Sequence, residues 1–72
     1  MLNTVDEVIE ALGGPSETAI IAAVGSSAIS NWRARGKISQ DVFILIRDAL
    51  AARGKEVDPA VFGFKTLDEE RA

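Results

Sequence analysis

The chain has no cysteine and no histidine in its 72 residues, and only 2 prolines and 1 tryptophan. Without cysteine, a disulfide scaffold or a cysteine-ligated zinc module cannot form. Without histidine as well, the usual catalytic base, the usual activated nucleophile and the usual transition-metal ligands are missing. No enzyme, metal or cofactor is expected. No run approaches the roughly 18 consecutive apolar residues that a membrane helix needs. Met1 to Glu7 hold no cation ahead of an apolar run, so a signal peptide is not expected. The expectation is a soluble, cytoplasmic protein. Basic charge is also short, with 8 lysines and arginines against 11 acids and a net charge of −3. Taken as a total, that counts against a nucleic-acid partner.

A chain of 72 residues makes one domain. At this size only about 60–65% of the unfolded surface is buried, so the core is marginal. Well-matched helices, a partner subunit, or both must compensate. Glycines mark the joints, at Gly13-Gly14, Gly25, Gly36, Gly54 and Gly63. Between them the apolar residues recur with helical spacing, and nothing alternates as a strand would.

The first helix is expected from Val5 to Leu12, with Thr4 and Glu7 as a capping box and Val5, Val8, Ile9 and Leu12 as its apolar stripe. The second starts at Pro15 or Ser16 and is ended by Gly25; it is too short to stand without packing. The third follows Gly25, with Ser26 and Ser27 available as caps, and stops at Gly36. The fourth and longest runs from near Ser39 to Arg53-Gly54. Asp58-Pro59 caps a last short turn holding Val61 and Phe62. The tail 65–72 is mostly charged and is expected to be flexible.

Two short helices joined by a tight turn and followed by further helices form a helix-turn-helix arrangement, here over about residues 15–36 of a 1–64 domain. Ala19 is small where the next helix must come close. Ile29 and Trp32 fall on one face of the third helix and seat it on the core. Ser26, Ser27, Ser30, Asn31 and Arg33 are thereby directed elsewhere. Such side chains suit DNA: serine reaches phosphates, asparagine pairs with adenine, and arginine pairs with guanine.

Gly14-Pro15-Ser16, then Ala19 and Val24, then Ala28-Ile29-Ser30-Asn31-Trp32-Arg33-Ala34-Arg35-Gly36-Lys37-Ile38 resemble the small Cro-like and related phage-type repressors. The likeness covers roughly residues 4 to 50, and Ile29 to Gly36 is its most specific part. It implies an all-α, lambda-repressor-like (Cro-like) domain of four to five helices. It also implies a sequence-specific DNA-binding regulator whose third helix, about 26–35, enters the major groove. On that resemblance Ser26, Ser27, Ser30 and Asn31 face bases or nearby phosphates, and Arg33, Arg35 and Lys37 touch the backbone or groove edge. The chain departs from the pattern at three places. Ala23 stands where the turn usually has glycine. Ser26-Ser27 replace a longer polar residue. Ile20 and Ile21 occupy the outer side of the second helix.

The charge is unevenly placed. Residues 1–17 hold 4 acids and no base, and residues 18–40 hold 3 bases (Arg33, Arg35, Lys37) and no acid. Residues 41–64 and 65–72 each sum to −1. Beyond about 8–10 Å charges are screened at physiological salt, so the local patch matters more than the total.

The fourth helix is apolar on two sides. Phe43, Ile46 and Leu50 form one stripe; Val42, Leu45, Ala49 and Ala52 form the other. The second stripe has two possible covers, the chain's own segment 54–64 or a second copy. A homodimer is expected, with Val42, Leu45, Ala49, Phe62 and Phe64 at its interface. The expected partner is a pseudo-palindromic double-stranded DNA operator. No small-molecule ligand is expected. The rival reading is a protein-interaction module or antitoxin that meets another regulator, polymerase or toxin through exposed apolar surface.

Overall fold

The computed structural model describes residues 1–64, and the tail 65–72 lies outside the described residues. Four α-helices form one compact all-α body: α1 (Val5–Ala11), α2 (Pro15–Ala22), α3 (Ser26–Arg35) and α4 (Phe43–Ala52). Two 3-10 turns, Gln40–Val42 and Pro59–Phe62, complete it. Among the described residues there is no strand, only a single parallel bridge between Leu2 and Val57. None of the described helices is long and apolar enough to cross a membrane.

Each helix end has a local cause. The Glu7 N–H donates to Thr4 Oγ1 at 3.2 Å, and the Glu7 carboxylate reaches back to the Asn3 N–H at 3.1 Å. The capping box thus closes one residue earlier than its usual partner. Gly13 and Gly14 both take positive φ, 102° and 106°, and turn the chain into α2. There Thr18, fully buried, donates its hydroxyl to the Gly14 carbonyl at 2.8 Å. That bond satisfies the one buried polar side chain among the described residues.

The end of α2 differs from expectation. Gly25 does not terminate it; Ala23 does, in the left-handed region at φ 58°, ψ 44°. The Val24 N–H then reaches the Ala19 carbonyl at 3.0 Å, which closes the helix with a Schellman-type bond. Gly25 instead has extended backbone and precedes α3 as its N-cap. Gly36 ends α3 as expected, at φ 72°. The fourth helix begins later than expected, because residues 40–42 form the 3-10 turn first.

The core joins Val5, Val8, Ile9 and Leu12 of the first helical segment to Ala22, Ile29, Trp32, Ile38, Val42, Ile46, Leu50, Val61 and Phe62. The segment after α4 folds back across the body. The Ile38 N–H donates to the Val61 carbonyl at 2.8 Å, and Leu2 is bonded to Glu56 and Asp58 at 2.8 and 2.7 Å. Asp58 caps the last turn through the Ala60 N–H at 2.9 Å.

This fold-back corrects the expected dimer interface. Val42 and Phe62 are 5% and 1% exposed, so neither is available to a partner. Val42 points into the core because it lies four and eight residues before the buried Ile46 and Leu50, on their side of the segment. Phe62 seats against Phe43, so the fold-back covers the Phe43, Ile46, Leu50 stripe and leaves Leu45 and Ala52 of the other stripe exposed. Leu45 remains 48% exposed and Phe64 36%, while Ala49 is half-buried. Ile44, 53% exposed, belongs with Leu45 on the outer side of α4 and was not singled out from the sequence.

Candidate nucleic-acid interface

The helix α3 is held by two large side chains. Ile29 and Trp32 are 2% and 4% exposed, and Ala28 is half-buried beside them. Full burial of such side chains contributes about 1.5–3 kcal/mol each, enough to fix which face of a short helix turns inward. At 100° per residue the opposite face is an arc of roughly 140° carrying Ser26, Ser30, Ala34, Ser27 and Asn31. All five are exposed. This arc holds only small or medium side chains, so another surface can come close to the backbone of α3.

The arginines stand at the two edges of that arc, not in its middle. On the same wheel Arg33 falls about 20° outside one end of the arc and Arg35 about 40° outside the other. Lys37 follows just past the Gly36 turn, and all three cations are exposed. Arg35 and Lys37 border an open cleft of about 410 Å³ between the end of α3 and the 3-10 turns, with Ser39, Gln40, Asp41 and Gly63 on its other walls. Asp41 accepts from the Ser39 hydroxyl there. The cleft therefore carries two cations and one acid.

Two expectations change at this surface. Ser26 and Ser27 do not cap α3: its N-cap is Gly25, and no side chain bonds the first N–H groups. Ser26 and Ser27 are both exposed, and the Ala28 N–H donates to the Gly25 carbonyl at 3.1 Å. Nor is the basic segment free of acid in space. The Arg33 Nε donates to Asp6 Oδ1 at 3.0 Å, with the two side chains 51% and 74% exposed. Asp6 lies 27 residues away on α1, so no local pattern announces the pair. Its only sequence signal is that Asp6 falls off the apolar stripe of its own helix.

The expected interface residues Ser26, Ser27, Ser30, Asn31, Arg33, Arg35 and Lys37 are thus all solvent-facing on one helix and the turn after it. Gln40 joins them at the cleft wall, which the sequence alone did not suggest. Comparison with family models, with curated proteins and with solved structures gives no match.

Proposed function

We propose that the chain is a sequence-specific DNA-binding regulator of transcription, a repressor of the Cro-like helix-turn-helix type, that inserts α3 in the major groove as a homodimer. One observation carries this reading. α3 buries Ile29 and Trp32 and turns toward solvent a close-packing face of Ser26, Ser27, Ser30 and Asn31, flanked by Arg33 and Arg35. Serine hydroxyls and a helix start with no side-chain cap suit phosphates. Asn31 offers an amide that can bond adenine in two places, and arginine does the same for guanine. The positive φ at Ala23 supports the turn of such a motif, in the position where glycine is usual.

The exposed Ile44 and Leu45 support a second copy on the outer side of α4. Two copies would read two half-sites about 34 Å apart, one helical turn. Repression would follow from occupancy of promoter DNA.

The test is selection from a random-sequence duplex library on immobilised protein. A sequence-specific binder enriches one motif with internal two-fold symmetry. Changing Asn31 and Arg33 together to alanine then abolishes the preference while the helical circular dichroism stays unchanged. If the preference survives, α3 does not read the DNA. A second reading, an interaction module or antitoxin, draws on Ile20, which stands on α2 at 72% exposure. It gains if selection enriches nothing.

A further inference from the structure

The contact between α1 and α3 at Asp6 and Arg33 is made through one edge of the guanidinium only. Nε donates to Oδ1, and among the described residues no acceptor holds either Nη group. A guanidinium is planar, and its Nε edge and its Nη end point in different directions. A carboxylate on the Nε edge therefore fixes the plane of the fork and leaves its end open to a second acceptor. Arg33 also shares one edge of α3 with Ser26 and Ser30, at i, i+4 and i+7. Arg33 thus stands at the border between the contact with α1 and the exposed face described above.

We infer that Asp6 is a positioning residue for DNA sequence readout, holding Arg33 by Nε so that the Nη pair meets the O6 and N7 acceptors of a guanine. The inference rests on the DNA reading of α3. Exposed ion pairs add little to folding stability, so the contact has small value as a staple. A long side chain ordered before binding, in contrast, spares about a three- to tenfold loss of affinity that ordering on contact would bring. An unattached acid beside DNA would only repel phosphates. Asp6 has the opposite effect on one particular sequence, because its repulsion is general and its positioning of Arg33 is specific.

The experiment measures dissociation constants of wild type, Asp6→Ala, Arg33→Ala and the double variant on two duplexes of about 20 base pairs. One is the duplex enriched by wild-type protein from a random library; the other is a shuffled duplex of the same composition. Asp6→Ala is expected to weaken binding to the enriched duplex about three- to tenfold and not to weaken binding to the shuffled one. In the Arg33→Ala background the same change is expected to have less than about a twofold effect. Asp6→Asn, which keeps an oxygen acceptor for Nε, is expected to fall between wild type and Asp6→Ala.

Equal tightening on both duplexes would mean that Asp6 competes with DNA for Arg33, and would overturn the inference. An equal loss in the Arg33→Ala background would overturn it too, since Asp6 would then act through the fold. Wild type that enriches a duplex bound equally well by Asp6→Ala removes this inference and leaves the DNA reading standing. Wild type that enriches no duplex removes both.

Discussion

The rings of Phe43 and Phe62 meet edge to face, with centroids 4.9 Å apart and planes at 86°. Phe43 starts α4, and Phe62 ends the 3-10 turn that folds back over it. Phe64 also meets the Phe43 ring edge to face, at 5.2 Å and 74°. The fold-back segment therefore belongs to the chain's own core at Phe62 and becomes surface at Phe64.

Two alanine substitutions separate these roles. Phe62→Ala empties a site that is 1% exposed, and should destabilise by about 3–5 kcal/mol. In a domain this small that is a large share of the total, which is about 5–15 kcal/mol for ordinary proteins. Phe64→Ala loses a ring that is already 36% exposed, and the loss should stay under about 1.5 kcal/mol. Urea titration followed by circular dichroism checks both. Near-equal midpoints for the two variants would contradict the division.

Ala23 is the one described non-glycine residue with positive φ. An L-residue with a side chain is disfavoured there by roughly 1–2 kcal/mol, while glycine has no such clash. Glycine gives back part of this through a freer unfolded chain. Ala23→Gly should therefore stabilise the domain by about 0.5–1 kcal/mol and raise Tm by about 2–8 °C. Ala23 is exposed, so the change opens no cavity. Lower Tm would show that the αL geometry carries no strain.

The sequence announced the features that depend on neighbours in the chain. The stripe Val5, Val8, Ile9, Leu12 is fully buried, and Trp32 with Ile29 seats α3 as its spacing required. The Thr4–Glu7 cap, the Gly36 stop and the Asp58-Pro59 turn are local chemistry and were equally legible. Features set by the meeting of distant segments were not. Val42 was grouped with Leu45 at i+3 when its i+4 and i+8 neighbours Ile46 and Leu50 are the ones whose buried side it shares, and periodicity alone does not say which of the two stripes turns inward. The Arg33–Asp6 pair depends on how α1 lies against α3, and charge summed along the chain hides it. Gly25 looked like the end of α2 because glycine is the usual stop, but Ala23 has that conformation two residues earlier.

The outer side of α4 gives a prediction about assembly. Ile44 and Leu45 are 53% and 48% exposed there, with Asp48 between the turns. If a second copy covers this side, light scattering at micromolar concentration should give twice the 7.7 kDa of one chain. Leu45→Glu would then place two like charges in a buried contact and return the mass to that of one chain, with Tm changed little at low concentration. A wild-type mass of one chain would instead rule out the dimer and assign each DNA contact to a single copy.

The salt dependence of binding tests the electrostatic part of the DNA reading. Each chain offers three cations on or just past α3: Arg33, Arg35 and Lys37. Two copies offer six, and if all six meet phosphates the slope of log K against log salt is about −5.5. If each Arg33 goes to a base, as its pairing with Asp6 implies, four phosphates are met and the slope is about −3.5. Measured on the enriched duplex, Arg35→Ala and Lys37→Ala should each make the slope less steep by about 2 per dimer, since each removes one phosphate contact per chain. Arg33→Ala should change the slope little and the sequence preference strongly, at about 1–3 kcal/mol per half-site. A slope near zero for wild type would leave the basic edge of α3 without a phosphate partner, and the arginines would then be ordinary solvated charges near a helix C-terminus.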